Sequence, residues 1–109
     1  MEASMIVTTT SRVEGHPVTE YLGIVNGENI VGINLVKDIG ADLRNIFGGR
    51  SEGYEQELVM ARDSALQEMV ARAEHMGAHG IVGFRYDYET LGAAGDMLMV
   101  VATGTAVRF

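Results

Sequence analysis

The chain contains no cysteine, and Lys37 is its only lysine. Without cysteine, disulfides, thiolate metal sites and cysteine nucleophiles are excluded. Eight Lys and Arg residues against 15 Asp and Glu residues give a formal net charge of −7. This acidic balance, with no basic cluster to offset it, disfavours binding to a phosphate backbone. We therefore expect no nucleic-acid partner.

Long apolar runs are also missing. None approaches the roughly 18 residues that mark a membrane-spanning helix. Residues 1–4 lack the basic and apolar regions of a secretion signal, so we expect a cytoplasmic protein without a membrane partner. The 109 residues are 47% hydrophobic, which suits one folded domain over residues 1–109.

The longest regular pattern is an amphipathic helix between Ser51, a candidate N-cap, and Gly77, a candidate left-handed C-terminal residue. Glu68 and Arg72 have the spacing and order of a favourable ion pair on a helix. Apolar residues recur at helical spacing and predict a buried stripe with one flank. The stripe holds Tyr54, Leu58, Ala61, Ala65, Met69 and Met76, and the flank holds Val59, Leu66, Val70 and Ala73.

Four segments have strand patterns: residues 5–10, 18–25, 81–89 and 97–109. Asn26-Gly27 is either a hairpin turn before a second strand run at residues 30–35 or a bulge inside one longer strand. A short helix is predicted at residues 38–47. Alternation along the third segment predicts that Val82, Phe84, Tyr86 and Tyr88 share one face.

The last strand is apolar on both faces from Met97 to Ala102. An antiparallel strand of that kind needs a cover on each face. The long helix covers one face, and a second copy of the chain is expected to cover the other. The order of elements predicts an α+β fold, a mostly antiparallel sheet packed on one long helix.

A glycine loop precedes the long helix: Gly48, Gly49, Arg50 and Ser51. Glycines allow close approach of the backbone to a ligand, a helix N-terminus favours an anion, and Arg50 could neutralise it. The same residues also fit an ordinary helix end followed by a new helix start.

Residues suited to metals or catalysis are sparse. His75 and His79 are separated by four residues, but Gly77 between them is expected to end the helix, so metal ligation competes with two surface histidines. The thioethers of Met97 and Met99 suit Cu(I), although core packing is the commoner role. No nucleophile with a neighbouring base is apparent, so an enzyme is not expected and no cofactor is identified.

Several blocks together resemble the YbjQ-like family. They are Gly48–Ser51 with Tyr54-Glu55, Gly77–Gly83, Tyr88–Thr90, Met97–Val100, Gly104–Val107, and Glu20-Tyr21 with Gly23. The resemblance covers the chain from Ile6 onwards. It implies an uncharacterised cytosolic protein with a β-α-β-β core similar to dodecin subunits, assembled as a ring-shaped homo-pentamer with strands added across subunits. The family carries a heavy-metal-binding label, yet Leu22 stands where some relatives have cysteine.

The leading hypothesis is a non-enzymatic homo-oligomer that binds a small anionic ligand or an ion near a subunit boundary. Its site would comprise Gly48, Gly49, Arg50, Ser51, Tyr54 and Glu55. In one alternative these residues only lock the ring, through an ion pair between Arg50 and Glu55 of neighbouring subunits. In the other, the chain binds a heavy metal through His, Glu and Met ligands.

Overall fold

The computed structural model describes residues 5–31, 52–92 and 97–109. Their elements are β1 (Ile6–Val7), β2 (Glu20–Val31), α1 (Glu52–His75), β3 (Gly80–Leu91) and β4 (Met97–Arg108). The strands form one sheet in the order β1-β3-β4-β2. β4 pairs antiparallel with β2 and β3, and only the short β1 pairs in parallel. The predicted α+β class is confirmed, and the short helix predicted at residues 38–47 lies outside the described residues.

α1 ends as the glycine pattern predicts. Gly77 has a φ of 81°, a conformation that only glycine adopts easily. The N–H of Ala78 donates to the carbonyl of Ala73 at 3.0 Å, and the N–H of Gly77 donates to Glu74 at 2.9 Å. These two bonds define a Schellman motif, which satisfies carbonyls that the last helical turn would leave unpaired. Among the described residues, no helix combines the length and apolar character needed to span a bilayer.

α1 packs on the sheet through small side chains. Its fully or almost fully buried residues are Ala61, Ala65, Met69 and Ala73, which confirms three residues of the predicted stripe and one of its flank. The prediction is wrong for Met76 of the stripe and Val59 of the flank, which are 39% and 41% exposed. A Cβ added at Gly27 of β2 would lie 2.1 Å from the carbonyl oxygen of Ala65 and 2.6 Å from the nitrogen of Met69. The helix backbone therefore rests directly on Gly27, and only a residue without a side chain permits this approach.

Asn26 and Gly27 form neither a hairpin turn nor a bulge. They pair with Thr103 and Ala102 in the middle of the continuous strand β2. The register shift of this strand lies earlier, between Tyr21 and Gly23. A pattern typical of turns is thus overridden here by tertiary packing, since Gly27 serves the contact with α1.

A bulge in β3 makes the predicted alternation wrong at its start. Between Val82 and Arg85 the register shifts by one residue, and Gly83 has a φ of 63°. Ile81 consequently pairs with the buried Ala106 on the helix side, whereas Val82 pairs with Thr105 on the other side. The extra residue reverses which side chains face the core. Tyr86 and Tyr88 face the helix side opposite Ala102 and Val100, as their alternation predicts.

The two ends of the sheet differ in how well they are covered on the face away from α1, which we call the second face. At one end, the closed end, Val82 and Val107 are 4% and 0% exposed. Thr8 and Thr10 hydrogen-bond to the backbone of β3 there, and the rings of His16 and Phe109 lie 5.1 Å apart. At this end the chain covers β3 and the end of β4, whereas Tyr21 and Ile24 of β2, which pair with Val107 and Thr105, are 68% and 81% exposed.

At the other end, the open end, the second face carries the half-buried Met99 and Val101 of β4 beside Ile30 of β2. Ile30 is 54% exposed, and no described residue covers this part of the face. β4 is therefore apolar on both faces, as predicted. The copy of the chain that we expect as its second cover stays a prediction.

Candidate functional site

A cavity of about 290 Å³ lies at the open end, between the beginning of α1 and the end of β2. It is lined by Asn29, Ile30, Val31, Glu57, Met60, Ala61 and Ser64. Its size is close to the lower limit of typical small-molecule pockets. The mixture of amide, hydroxyl, carboxylate and apolar groups is the composition that such pockets use to bind and orient a ligand.

Helical and strand periodicity bring these side chains together. Glu57, Met60 and Ser64 are spaced by three and four residues, so they follow one flank of α1. Asn29 faces α1, because it pairs with the buried Val100 of β4. Its amide nitrogen donates to the hydroxyl oxygen of Ser64 at 3.1 Å. Among the described residues, the amide oxygen of Asn29 and the hydroxyl proton of Ser64 have no further partner and are available to a ligand.

Among the described residues of the lining, Glu57 is the charged one. Among the described residues, its carboxylate has no hydrogen bond or ion pair, in contrast to Glu68, which binds Arg72 at 2.6 Å. Met60 is 63% exposed at the mouth of the cavity. The described lining thus suits a small molecule with an N–H donor or a cationic group for Glu57 and an apolar part for Met60.

The residues predicted as the ligand site lie next to this cavity in the sequence. Gly48, Gly49, Arg50 and Ser51 precede α1 and lie outside the described residues. Tyr54 and Glu55 belong to the first turn of α1, and the structure does not describe their side chains. The prediction that these six residues bind a ligand therefore stays a prediction.

Sequence reasoning missed the residues of the cavity itself. The spacing of Glu57, Met60 and Ser64 on one helix flank is a signal that was available. Nothing in the sequence indicated Asn29, because its position beside Ser64 depends on a contact across 35 positions of the chain.

The candidate metal ligands are dispersed. His75 is exposed at the end of α1. His79 follows the helix, and its Nδ1 accepts a hydrogen bond from the N–H of Phe109 at 3.0 Å. Within residues 5–31, 52–92 and 97–109, no three His, Asp or Glu residues cluster in a way that could hold a metal ion. Since the chain also has no cysteine, the described residues do not fit a heavy-metal centre.

Among the described tyrosines, Tyr86 has a shifted pKa. Its hydroxyl donates to the carbonyl oxygen of Arg62 in α1 at 3.3 Å. Partial burial raises the pKa of Tyr86, and the negative charge of Asp63 raises it further. The phenol is thereby kept neutral where it joins β3 to α1.

The fold and the cavity together define a small α+β protein in which the described helix packs on an open sheet, with a cavity at the sheet edge. Its sequence belongs to the YbjQ family, whose model matches residues 5–109. That family is described as "Putative heavy-metal-binding". The resemblance seen in the sequence is thus confirmed.

Curated relatives support the same assignment. A UPF0145 protein of Corynebacterium jeikeium is 64% identical over 105 residues, which cover 96% of this chain and 99% of that relative. A UPF0145 protein of Bifidobacterium longum is 59% identical over 104 residues, which cover 95% of this chain and 94% of that relative. These relatives establish the family and name no activity.

A solved structure resembles the fold. It is a protein of unknown function from Pediococcus pentosaceus, with a TM-score of 0.62 and 18% sequence identity. The similarity covers 96% of this chain and 97% of that one. At this low identity the likeness supports the α+β architecture alone.

Proposed function

We propose that this protein is a homo-oligomer that binds a small polar ligand in the cavity between α1 and β2. The observation that carries the proposal is the cavity lining, in which Asn29, Ser64 and Glu57 present polar groups beside apolar side chains. The cavity lies along β2, which is an edge strand of the sheet. Ligand binding and assembly would therefore occur at the same place.

The sheet edges support self-assembly. Along β2, no described strand pairs with the outer edge. β1 pairs only with Gly80 and Ile81, and bonds from Thr8 and Thr10 extend the contact to Phe84. Beyond that point the outer edge of β3 has no described strand partner. Unpaired edges favour the addition of another strand.

The two edges suit a head-to-tail arrangement. β2 and β3 run parallel to one another, because both are antiparallel to β4. Repeated addition of β3 from one copy to β2 of the next is a heterologous contact, which closes into a ring when the rotation allows. The pentamer implied by the family resemblance is part of this proposal, as is the cytoplasmic location.

The ligand is proposed to carry a hydrogen-bond donor or cationic group that Glu57 accepts. The predicted loop of Gly48, Gly49, Arg50 and Ser51 would add a group for an anion at the same end of α1. A ligand with both a cationic and an anionic group would satisfy both expectations. Tyr54 and Glu55, in the first turn of α1, are proposed to contact it or to orient Arg50.

Native mass spectrometry of the untagged protein tests the proposal. We expect an oligomer, and an additional small mass that is released on denaturation and identified from the supernatant. Glu57→Gln should reduce occupancy at least about tenfold, because a charge-assisted bond contributes about 1.5–3 kcal/mol. Glu74→Gln, on the exposed side of α1, is the matched control. A monomer, or equal occupancy in both variants, would contradict the proposal.

Metal binding is a second candidate, because the family description names it. Adding zinc, copper or nickel before native mass spectrometry tests it directly. A metal stoichiometry that falls in His75→Ala or His79→Ala would support this function. An oligomer that gains no metal would remove it for this chain.

A purely structural ring is the remaining candidate. In it Arg50 and Glu55 form an ion pair between subunits, so Arg50→Ala gives monomers. Removing one partner of a buried pair costs about 3–5 kcal/mol. An Arg50→Ala protein that stays assembled but loses its ligand would favour the binding function instead.

A further inference from the structure

We infer that Tyr88 of a neighbouring copy closes the cavity, so that the ligand site is complete only in the assembly. The inference rests on the proposed self-assembly and adds to it the residue that the neighbour contributes. It follows from the lateral position of α1 on the sheet and from the side chains that β3 presents on its helix side.

α1 does not lie centrally on the sheet. It packs chiefly on β2, less on β4 and least on β3. The flank of α1 that contacts Asn29 of the edge strand β2 through Ser64 lies opposite the flank that Tyr86 of β3 contacts at Arg62. It therefore lies toward the outer edge of the sheet. That flank carries Glu57, Met60 and Ser64, the helical residues of the cavity lining. The cavity is therefore open toward the place that an added strand would occupy.

The opposite edge of the sheet offers a complementary surface. Phe84 and Tyr86 of β3 contact each other edge to face, with ring centroids 4.8 Å apart. Both are partly buried against the core. Tyr88 lies further along the same helix-side row, opposite Val100, and is 50% exposed. It also lies in the part of β3 whose outer edge has no described strand partner.

Strand addition would bring these two surfaces together. Neighbouring strands lie about 4.8 Å apart, so a β3 paired with β2 of the next copy places its helix-side row next to that flank of α1. There the hydroxyl of Tyr88 can donate to the carboxylate of Glu57, which has no described partner. Its ring can pack on the thioether of Met60, a favourable sulfur–aromatic contact.

The absence of cysteine permits a clean test by disulfide trapping. The protein carries Met60→Cys together with Tyr88→Cys, two replacements at exposed positions. Within one copy the two positions belong to opposite edges of the sheet, separated by two strand spacings or about 10 Å. A disulfide requires Cβ atoms about 3.5–4.5 Å apart, so a bond can form only between copies.

We expect oxidation to give a ladder of covalent multimers on a non-reducing gel, which reductant collapses to monomer. The matched control pairs Met60→Cys with Glu89→Cys, the next residue of β3, whose side chain points to the second face opposite Met99. It should remain uncross-linked, as should each single-cysteine protein. If the first pair does not fold by circular dichroism, Ser64→Cys with Tyr88→Cys replaces it.

The outcomes separate this inference from the proposed assembly. An oligomer by native mass spectrometry without cross-links in either Tyr88→Cys pair would overturn the placement of Tyr88 and leave self-assembly standing. Covalent dimers without higher multimers would overturn the head-to-tail contact, because a two-fold interface links copies only in pairs. A monomeric parent protein would overturn the proposed function as well.

Discussion

The closed and open ends of the sheet are built from the same three long strands but are finished differently. At the closed end, residues 6–10 lie beside β3, and the ring of Phe109 lies 5.1 Å from that of His16 and 6.1 Å from that of His79. The glycine cap of α1 and a hydrogen bond from Arg108 to the carbonyl of Gly77 complete it. At the open end, Ile30, Met60 and Tyr88 are each at least half exposed.

This difference indicates which part of the sheet is covered within one copy and which part is prepared for contact. At the closed end, β3 and the end of β4 are covered by the first residues of the chain, whereas Tyr21 and Ile24 of β2 stay 68% and 81% exposed. The open end combines exposed apolar residues, strand edges without a described partner and a polar cavity, the features typical of interaction surfaces. The following predictions test this division.

The largest effect is expected from removing the contact that holds α1 on the sheet between both ends. Gly27→Val introduces a side chain where the backbone of Ala65 and Met69 already lies. We expect the free energy of unfolding to fall by at least about 3 kcal/mol, measured by urea denaturation. Asn26→Ala, one residue away with an exposed side chain, should change it by less than about 0.5 kcal/mol. Equal stability of the two variants would refute the close approach.

An aromatic residue removed from each end should have different consequences. Phe109→Ala at the closed end deletes a half-buried ring and should cost about 1–2 kcal/mol of unfolding free energy while assembly is retained. Tyr88→Ala at the open end should instead weaken assembly, seen as a shift to smaller species in native mass spectrometry. Loss of assembly in Phe109→Ala alone would reverse the roles that we assign to the two ends.

A smaller effect is expected at the cap of the closed end. Arg108→Met removes the guanidinium that donates to Gly77 at the carboxyl end of α1. A cation there also interacts favourably with the helix dipole, so we expect a loss of about 1 kcal/mol by thermal unfolding. Arg12→Met is the control, because the side chain of Arg12 has no bond among the described residues. If the hydrogen bond from Arg108 contributes no stability, the two variants will have the same thermal unfolding midpoint.

The smallest effect concerns pH and the link between β3 and α1. Because partial burial raises the pKa of Tyr86 in the folded protein, its contribution to stability is complete below about pH 10. It is lost as the pH rises further, since the unfolded chain then releases the proton more readily. Thermal midpoints should therefore decline above pH 10 more steeply in the parent protein than in Tyr86→Phe. Identical slopes would show that this tyrosine is not coupled to folding.

Much of the fold could be predicted because it depends on neighbours in the sequence. The period of Ala61, Ala65 and Met69 predicted a helix and its buried face, and Gly77 predicted its end. The spacing of Glu68 and Arg72 predicted their ion pair, which has an N–O distance of 2.6 Å. The predicted ligand site stays a prediction, and the cavity that the structure describes begins after it, at Glu57.

Tertiary structure decided the features that depend on distant partners. The sequence pattern at Gly27 is typical of a turn, but Gly27 lies in the middle of β2. The backbone of α1 packs directly on it, which requires a residue without a side chain. The bulge at Gly83 reverses Ile81 and Val82, because β3 must follow the register of β4. The pairing of Asn29 with Ser64 appears only when β2 and α1 meet.

The sequence by itself therefore determined the class of the elements, the limits of α1 and the doubly apolar character of β4, since periodicity and glycine conformation are local properties. Only the tertiary structure decided which face each residue of β3 presents, how closely α1 approaches β2 and where the cavity lies. Those features arise from backbone contacts between segments far apart in the chain, whose geometry no local pattern encodes.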